Sequence, residues 1–337
     1  MAEVRSLGPA ALAVDPPDRP AAVHSEAGPG PIAIAVFGLY IVVLIVVMIE
    51  QGVEALPDRY AIAMLVGALV LGRAKRFMHD WLPFIGLLVS YDFLRGFADD
   101  LSGRVQYLQS IQFDQAMFTV VPTVALQNLL FASSLHWWDY AATIVYFLHF
   151  VLPLGFAMVL WLQDRRRFTD FVVSLTLLSY AGWLTYIVFP SAPPWMAAQA
   201  GYLDGVTRIL DRTIDFLPNH LDLPTVYRAL DPNLVAAIPS LHAAYAFLVL
   251  LFALRFFRWR GLVVLPYVAV VWFAVIYLGE HYATDVLIGA VYAAVAFVAG
   301  PLAVRAVANF RSRPGNVSSA PTEDLAREVA LSLRAVE

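Results

Sequence analysis

Two short stretches decide how this chain is interpreted: PSLHAAY at residues 239–245 and GEHYATD at residues 279–285. Each lies where a polar segment meets a long apolar run. The apolar runs between them, residues 246–257 and 262–278, predict two membrane crossings joined by a turn that carries arginines. Because two crossings return the chain to the side that it left, we expect the PSLHAAY and GEHYATD stretches to meet at one membrane face.

The polar side chains of these stretches favour nucleophilic chemistry over packing. They supply a hydroxyl (Ser240), two imidazoles (His242 and His281) and a carboxylate (Asp285). Such a set is typical of a site that activates a nucleophile and moves protons. The chain holds only seven histidines, so two of them at one face form a marked concentration. A third, His149, is predicted deeper in the bilayer, where a hydrogen-bonded structural histidine is the favoured interpretation.

The composition is typical of a polytopic helical membrane protein. Of 337 residues, 60% are hydrophobic and 14% are charged, against about 45–50% and about 25% in soluble domains. A net charge of −4 without a basic stripe gives no indication of a nucleic-acid partner. The absence of cysteine excludes disulfides, thiolate metal sites and cysteine nucleophiles.

We predict an all-α membrane bundle of about eight transmembrane helices, with a six-helix catalytic core. A disordered cytoplasmic tail (residues 1–31) precedes the membrane domain (residues 32–310), and a polar cytoplasmic tail (residues 311–337) follows it. The predicted spans are residues 32–48, 60–71, 81–97, 140–162, 171–189, 246–257, 262–278 and 286–308. The predicted outer loops cover residues 98–139 and 190–238.

One piece of the first outer loop is moderately apolar. Residues 117–131 are interrupted by Pro122 and Gln127. This pattern favours an interfacial or re-entrant helix over a full membrane span.

The basic residues predict which side of the membrane each loop occupies. With the spans drawn as above, four basic clusters fall on one side, and the positive-inside rule makes that side cytoplasmic together with both termini. The clusters lie at residues 73–76, 165–167, 255–260 and 305–313. The PSLHAAY and GEHYATD stretches then lie at the outer face. The Ala- and Arg-rich composition without an organelle signal favours a bacterial plasma membrane.

The spacing within the two stretches predicts local contacts. His281 and Asp285 are four residues apart, so on a helix the carboxylate can reach an imidazole nitrogen and fix its tautomer. Ser240 is typical of a helix N-cap, and a helix N-terminus offers free amides to a phosphate. His242, in the first turn, could give a proton to a leaving oxygen. The structural alternatives are a His–Asp pair that only caps a helix and an ordinary cap beside an interfacial histidine.

Arginines on the outer side are candidates for binding a phosphate. Arg95 ends a span there, against the positive-inside tendency, and is the first candidate, with snorkelling to lipid headgroups as the alternative. Arg104 in the outer loop is the second. Weaker candidates are Arg208, Arg212 and Arg228.

Taken together, these motifs resemble those of a known family. Residues 239–242 (PSLH) look like the second signature, and residues 281–285 (HYATD) like the third, of the type 2 phosphatidic acid phosphatase superfamily. The phrase FPSAPPW at residues 189–195, and the leucine within PSLH, are similar to the fungal inositol phosphorylceramide synthase branch. The resemblance covers roughly residues 91–292.

The resemblance implies a metal-independent phosphoryl transfer that needs no cofactor. His281 would attack phosphorus to form a phosphohistidine, and Asp285 would orient it. His242 would protonate the leaving alcohol and then activate water or an acceptor alcohol, while Ser240 and nearby amides hold phosphate oxygens. The substrate pocket would be lined by Pro193, Pro194, Trp195 and Tyr245.

The sequence departs from the family pattern at two places. The third signature usually begins with Ser-Arg shortly before its histidine, where this chain has Ala274 and Val275. The first signature, a lysine followed by Arg-Pro, has no clean counterpart before Ser240. The missing phosphate-binding charges must come from elsewhere, with Arg95 and Arg104 as the candidates. Because the synthase branch also tends to lack the third-signature arginine, the gap favours that branch.

The leading functional hypothesis is an outer-face membrane enzyme that transfers a phosphorylated headgroup between a lipid and an acceptor alcohol. The substrate would be a phospholipid or a polyprenyl phosphate that enters from the bilayer, and the acceptor an inositol-like polyol. A lipid phosphatase that hydrolyses phosphatidic acid or polyprenyl phosphates and diphosphates shares the first step and remains open. The FPSAPPW stretch and the large second outer loop favour the transferase.

Two hypotheses of other kinds compete with it. A membrane transporter or flippase predicts inverted repeats, and the sequence has no visible internal repeat. A metal-dependent lipid phosphotransferase needs several acidic ligands on facing helices. Resistance of the activity to EDTA separates the histidine mechanism from the metal mechanism.

Overall fold

The structure is a computed structural model that describes residues 74–96, 105–131, 134–149, 151–214 and 234–312. Within these residues it is helical, and its β contacts are isolated bridges between single residues. The all-α prediction is confirmed. The predicted spans 32–48 and 60–71, the tail 1–31 and residues 313–337 lie outside the described residues, so eight spans and cytoplasmic termini stay predictions.

Eleven α-helices make up the described part of the chain. They are α1 (Ala74–Gly96), α2 (Leu108–Phe118), α3 (Pro122–Leu130), α4 (Trp137–Leu148), α5 (Val151–Gln163), α6 (Arg165–Val188), α7 (Pro194–Gln199), α8 (Ile209–Ile214), α9 (Leu241–Phe257), α10 (Leu265–Tyr277) and α11 (Ala283–Arg311). A 3-10 helix, Arg258–Val264, links α9 to α10.

Several helices are long and apolar enough to cross a membrane. Three such stretches occur in the described residues: Arg165–Val188, Leu241–Tyr277 and Ala283–Phe310. The pair Trp137–Leu148 and Val151–Gln163, bent by 49°, adds a fourth if it is one span. Each stretch coincides with spans that the sequence predicts, so the chain is a multi-pass membrane protein.

The stretch Leu241–Tyr277 is a hairpin of α9 and α10 rather than one straight helix. The indole N–H of Trp272, near the end of α10, donates to the Ala243 carbonyl at the start of α9 (3.2 Å). The two helices are therefore antiparallel. At the turn, a Cβ on Gly261 would lie 2.4 Å from the Ala253 carbonyl carbon, so only glycine fits there. This return crossing brings the PSLHAAY and GEHYATD stretches to the same end of the bundle, as predicted.

The central helices α6, α9 and α11 approach one another closely at glycines. A Cβ on Gly289 of α11 would lie 2.4 Å from the Ser240 carbonyl oxygen, just before α9. A Cβ on Gly300 of α11 would lie 2.0 Å from the Ser174 hydroxyl oxygen of α6. Small residues at such contacts let membrane helices pack backbone against backbone. The start of α9 is thereby fixed against the first half of α11.

The opposite end of the bundle collects basic side chains. Arg165 at the start of α6 and Arg76 of α1 both face the Asp80 carboxylate, at 2.5 and 3.9 Å. Arg255 near the end of α9 lies 3.7 Å from the Asp170 carboxylate of α6. A helix of 17 residues such as α9 is about 25 Å long, so this basic end lies far from the start of α9. Three of the predicted clusters therefore share one end of the bundle; that this end is cytoplasmic stays a prediction.

The predicted outer loops contain helices. Residues 108–118, which were predicted as part of a loop, form α2. Within residues 117–131 the chain breaks at Thr119, which ends α2 with a φ of 65°, and resumes as α3 from Pro122. Neither helix is among the candidate spans of the described residues, in agreement with a non-spanning segment. The second loop contains α7 and α8.

Candidate active site

The two histidines of the PSLHAAY and GEHYATD stretches face each other. Nδ1 of His242 lies 3.2 Å from Nε2 of His281. His242 belongs to the first turn of α9, and His281 directly precedes Tyr282, the N-cap of α11. His281 is only 4% exposed, whereas His242 is half-buried.

The hydrogen bonds of His281 determine its tautomer. Its Nδ1 lies 3.0 Å from the Ala237 carbonyl oxygen. A carbonyl oxygen can only accept, so Nδ1 carries the proton and Nε2 holds the lone pair. In the neutral pair, Nδ1–H of His242 therefore donates to Nε2 of His281. A nucleophilic nitrogen and a proton donor point at each other.

Extended backbone segments position the Ala237 carbonyl. The Ser191 N–H donates to the Val235 carbonyl (2.8 Å), and the Ala237 N–H donates to the Ser191 carbonyl (3.2 Å). On the other side, the Gln106 N–H donates to the Pro190 carbonyl (2.8 Å). The FPSAPPW stretch thus holds the segment that orients His281.

Asp285 is fully buried, and its carboxylate serves a helix cap as well as the histidine. Oδ2 accepts from the Tyr282 N–H (2.8 Å), and Oδ1 accepts from the Ser110 hydroxyl (3.1 Å). Oδ2 lies 3.8 Å from Nδ1 of His281, beyond hydrogen-bonding distance. The Ala237 carbonyl is the nearer partner of Nδ1, and Asp285 lies at ion-pair distance.

Helix α2 supplies two buried polar residues that were not predicted from the sequence. Ser110 contacts Asp285, and Asp114 accepts from the Ala283 N–H and from both the N–H and the hydroxyl of Thr284. Burial raises the pKa of the Asp114 carboxyl, although these hydrogen bonds oppose the rise. A carboxylate at the first turn of α11 also complements the helix dipole. The i,i+4 spacing of Ser110 and Asp114 on one helix face is the signal that could have found them.

Ser240 is the N-cap of α9, as the sequence predicts. Its hydroxyl accepts from the Ala243 N–H (3.4 Å), and its own N–H donates to the Asp285 carbonyl (3.0 Å). The Tyr186 hydroxyl donates to the preceding carbonyl, of Pro239 (2.9 Å). Since the first amides of a helix lack intrahelical acceptors, this turn offers donors to a phosphate next to His242.

Two further rings, from α4 and its C-cap, enclose His242. The Tyr146 ring stacks on it with centroids 4.3 Å apart, and the His149 ring has its centroid 3.7 Å away. Nδ1 of His149 donates to the Tyr146 carbonyl. This hydrogen bond fits the predicted structural histidine, but the contact of His149 with His242 was not predicted. The i,i+3 spacing of Tyr146 and His149 is the only signal for it.

The residues predicted to line a substrate pocket are packed in this structure. Pro193 is the N-cap of α7, and Pro194 is its first residue. Trp195 is buried, and the Arg208 guanidinium lies 4.3 Å from its ring centroid. Tyr245 is buried and shares a hydrogen bond of 2.8 Å with the Ser179 hydroxyl. Trp195 and Tyr245 therefore form walls rather than open surfaces.

The first arginine candidates cannot be placed against the site. Arg95 lies in the last turn of α1, but its side chain is outside the described part of the structure. Arg104 and Arg228 lie outside the described residues. Their proposed contact with a phosphate stays a prediction.

Arg208 is linked to the GEHYATD stretch. Its guanidinium binds the carboxylate of Glu280, the residue before His281, with Nε 2.8 Å from Oε1. Arg212, one helical turn further along the chain, instead lies over the Phe131 ring at 5.3 Å. From the sequence both arginines were equal candidates, because sequence distance does not show which one reaches Glu280.

The described side chains form no obvious metal site. Among them, no group of three or more histidines, aspartates or glutamates is arranged to hold a metal ion.

Comparison with known proteins assigns the class of this protein. Residues 111–299, more than half of the chain, match the PAP2 superfamily. The chain belongs to the PAP2 superfamily. This confirms the family resemblance of the motifs and makes the protein a lipid phosphotransferase or phosphatase.

Two relatives indicate the branch. The "Phosphoinositol dihydroceramide synthase" of Bacteroides thetaiotaomicron is 27% identical over 246 residues, which is 69% of this chain and 80% of that protein. The "Inositol phosphorylceramide synthase" of Candida albicans is 24% identical over 197 residues, 54% of this chain and 40% of that protein. No solved structure matches the chain significantly.

Proposed function

We propose that this protein transfers a phosphoinositol headgroup from a membrane phospholipid to the hydroxyl of a ceramide-class lipid. The facing nitrogens of His242 and His281, 3.2 Å apart, are the observation that carries the proposal. The names of the two relatives join phosphoinositol to dihydroceramide and inositol phosphate to ceramide. In this proposal inositol is part of the transferred group, and the acceptor is a lipid alcohol. The sequence-based hypothesis instead had an inositol-like polyol as the acceptor.

In the first step, Nε2 of His281 attacks the phosphorus of the donor phosphodiester. The bond between phosphorus and the diacylglycerol oxygen breaks, and that oxygen takes the Nδ1 proton of His242, which enters the step as an imidazolium and leaves it as a neutral imidazole. The product is a phosphoinositol group on His281, with free diacylglycerol. The tautomer fixed by the Ala237 carbonyl supports this assignment, because it leaves the lone pair of His281 on the nitrogen that faces His242.

In the second step, the ceramide hydroxyl gives its proton to Nδ1 of His242 and attacks phosphorus. The bond between phosphorus and His281 breaks, and both histidines return to their starting state. One residue thus acts as acid and then as base at the same atom. Water in place of ceramide would release inositol phosphate, and a lipid phosphate monoester as the donor would make the same two steps those of a lipid phosphatase.

Three features of the site would support this chemistry without taking part in bond formation. Asp285, 3.8 Å from Nδ1 of His281, stabilises the positive charge that develops on the attacking imidazole. The N-terminal turn of α9 with the Ser240 hydroxyl binds phosphate oxygens. Burial of His281 and Ser240 restricts water, which favours transfer over hydrolysis.

The test is headgroup transfer by the purified protein in mixed micelles of an inositol phospholipid, with and without ceramide. We expect an inositol-phosphate-containing ceramide that forms only when ceramide is present and persists in EDTA. His281→Ala and His242→Ala should each lower its rate by about 10³-fold or more. His79→Ala is the matched control, because His79 is exposed at the opposite end of the bundle.

Two outcomes would contradict the proposal. Release of inositol phosphate at the same rate with or without ceramide would make the protein a hydrolase. Full transfer activity of His281→Ala would rule out the phosphohistidine intermediate, whereas absence of both transfer and hydrolysis in the wild type would favour the transporter hypothesis.

A further inference from the structure

The segment that leads into His281 is held by hydrogen bonds from residues of α3, α7 and α8. The Trp195 N–H donates to the Gly279 carbonyl (3.1 Å), and the Ile209 N–H donates to the Leu278 carbonyl (3.3 Å). The Gln127 side chain donates to the carbonyls of Tyr277 (2.8 Å) and Thr207 (2.9 Å). These hydrogen bonds fasten residues 277–279, and the Glu280 side chain adds a separate contact to the same part of the chain.

The side chains of Arg208 and Glu280 form a bidentate ion pair at this point. Nε of Arg208 donates to Oε1 of Glu280 (2.8 Å), and a terminal guanidinium nitrogen donates to Oε2 (3.2 Å). The two side chains are 9% and 7% exposed. The Arg208 guanidinium also stacks on the Trp195 ring, with 4.3 Å to its centroid. A planar guanidinium held by both a carboxylate and an aromatic face has one defined position.

This ion pair is directly coupled to the backbone of His281. The N–H groups of Glu280 and His281 both donate to the Val275 carbonyl, at 3.1 and 3.0 Å. A movement of Glu280 therefore moves the neighbouring imidazole. In addition, an unpaired carboxylate next to His281 would repel an anionic phosphodiester, and the Arg208 charge cancels that repulsion.

We propose that Arg208 and Glu280 are a positioning pair that holds His281 within reacting distance of His242. The inference rests on the proposed function, since it assigns to the pair an effect on the step in which His281 attacks phosphorus. Displacement of a reacting group by about 1 Å costs about 100-fold in rate. The pair acts through His281 and does not touch the substrate.

The test measures kcat and KM for four variants in the lipid assay described above. Arg208→Ala lowers kcat by about 100-fold with KM within about 3-fold of the wild type, because the loss is one of geometry. Arg208→Lys keeps the positive charge but cannot form the bidentate contact with Glu280, so it retains an intermediate kcat. Glu280→Gln still accepts from Arg208 and loses less than Arg208→Ala. The double variant Arg208→Ala/Glu280→Gln loses less than the two single losses multiplied, because the residues are coupled.

Arg212→Ala is the matched control, since Arg212 is an exposed arginine on α8, the short helix that Arg208 immediately precedes. It retains wild-type kcat. The melting temperature and the fraction of monodisperse protein are measured on each preparation. If Arg208→Ala does not fold, Arg208→Lys and Glu280→Gln decide the question.

The outcomes separate this inference from the proposed function. The wild type is assayed first for transfer and for hydrolysis, and absence of both overturns the function before any variant is compared. With an active wild type, a kcat of Arg208→Ala equal to that of Arg212→Ala overturns the positioning pair. A weaker apparent substrate affinity in Arg208→Ala, by about tenfold or more at unchanged kcat, also overturns it, because Arg208 would then bind substrate. If the activity of Arg208→Ala falls only as far as the amount of folded protein falls, the pair stabilises the fold and does not position His281, which also overturns the inference.

Discussion

At the scale of single residues, two oxygen partners lie near Nδ1 of His281: the Ala237 carbonyl and the Asp285 carboxylate. The His281 Nδ1–H is 3.0 Å from the Ala237 oxygen and 3.8 Å from the Asp285 carboxylate. The carbonyl fixes the tautomer, and the carboxylate adds charge. Asp285 also accepts hydrogen bonds from Tyr282 and Ser110, so its negative charge is shared among several partners.

Because the Ala237 carbonyl fixes the tautomer and Asp285 supplies only charge, we predict a moderate effect for Asp285→Asn. The asparagine oxygen can still accept from the Tyr282 N–H, so α11 keeps its cap and the protein its melting temperature. The charge that stabilises the attacking imidazole is lost, so kcat should fall by about 10- to 100-fold. Kinetics of Asp285→Asn beside His281→Ala test this. A loss as large as that of His281→Ala would show that the carboxylate, not the carbonyl, orients the ring.

The positions of Ser240 and of the two histidines could be predicted because these residues lie close in sequence to a helix start. Ser240 at the N-cap and the meeting of His242 with His281 follow from two apolar runs and a turn. The Ala237 carbonyl could not be foreseen, because bridges between segments far apart in sequence place it. The same holds for Ser110, whose contact with Asp285 spans 175 residues.

At the scale of elements, close helix contacts make the site possible. Helix α11 passes the start of α9 at Gly289, where a side chain would collide with the Ser240 carbonyl. The sequence predicts both helices from their apolar runs. Their separation depends on a single glycine, which hydrophobicity alone does not reveal.

Gly289→Ala should therefore push the start of α9 away from α11 and disturb the site. The added Cβ would lie 2.4 Å from backbone, which cannot move aside as a flexible side chain does. We expect a loss of about 1–3 kcal/mol or more in stability and a fall in activity. Gly86→Ala is the control, since a Cβ there meets nothing within 4 Å and alanine favours a helix by about 1 kcal/mol. Thermal unfolding of both variants in detergent tests this, and equal melting temperatures would refute the close contact.

Helix α2 was predicted as part of a loop, and its sequence explains why. Its sequence, LQSIQFDQAMF, mixes polar and apolar residues without a clear amphipathic face. Short helices of this kind are marginal by themselves and owe their stability to tertiary contacts. Those contacts here are the hydrogen bonds of Ser110 and Asp114 to the start of α11, which sequence periodicity does not report.

At the scale of the whole molecule, the site and the basic clusters lie at opposite ends of the bundle. Arg76, Arg165 and Arg255 share one end through Asp80 and Asp170. The positive-inside rule then predicts that the site opens to the extracytoplasmic side.

The absence of native cysteine makes this orientation directly measurable. Asp204→Cys lies on an exposed turn at the site end, and Trp259→Cys replaces an exposed residue of the turn between α9 and α10. In intact cells, a membrane-impermeant maleimide should label residue 204 at once and residue 259 only after permeabilisation. The reverse pattern would place the site in the cytoplasm.

The central claim is the covalent intermediate on His281. The most direct measurement is rapid acid-free quenching of the purified protein with an inositol-labelled phospholipid in the absence of ceramide, followed by peptide mapping. The account predicts an acid-labile phosphoinositol adduct on His281 that is absent from His281→Ala and is discharged when ceramide is added. Turnover without any adduct, together with an active His281→Ala, would contradict it.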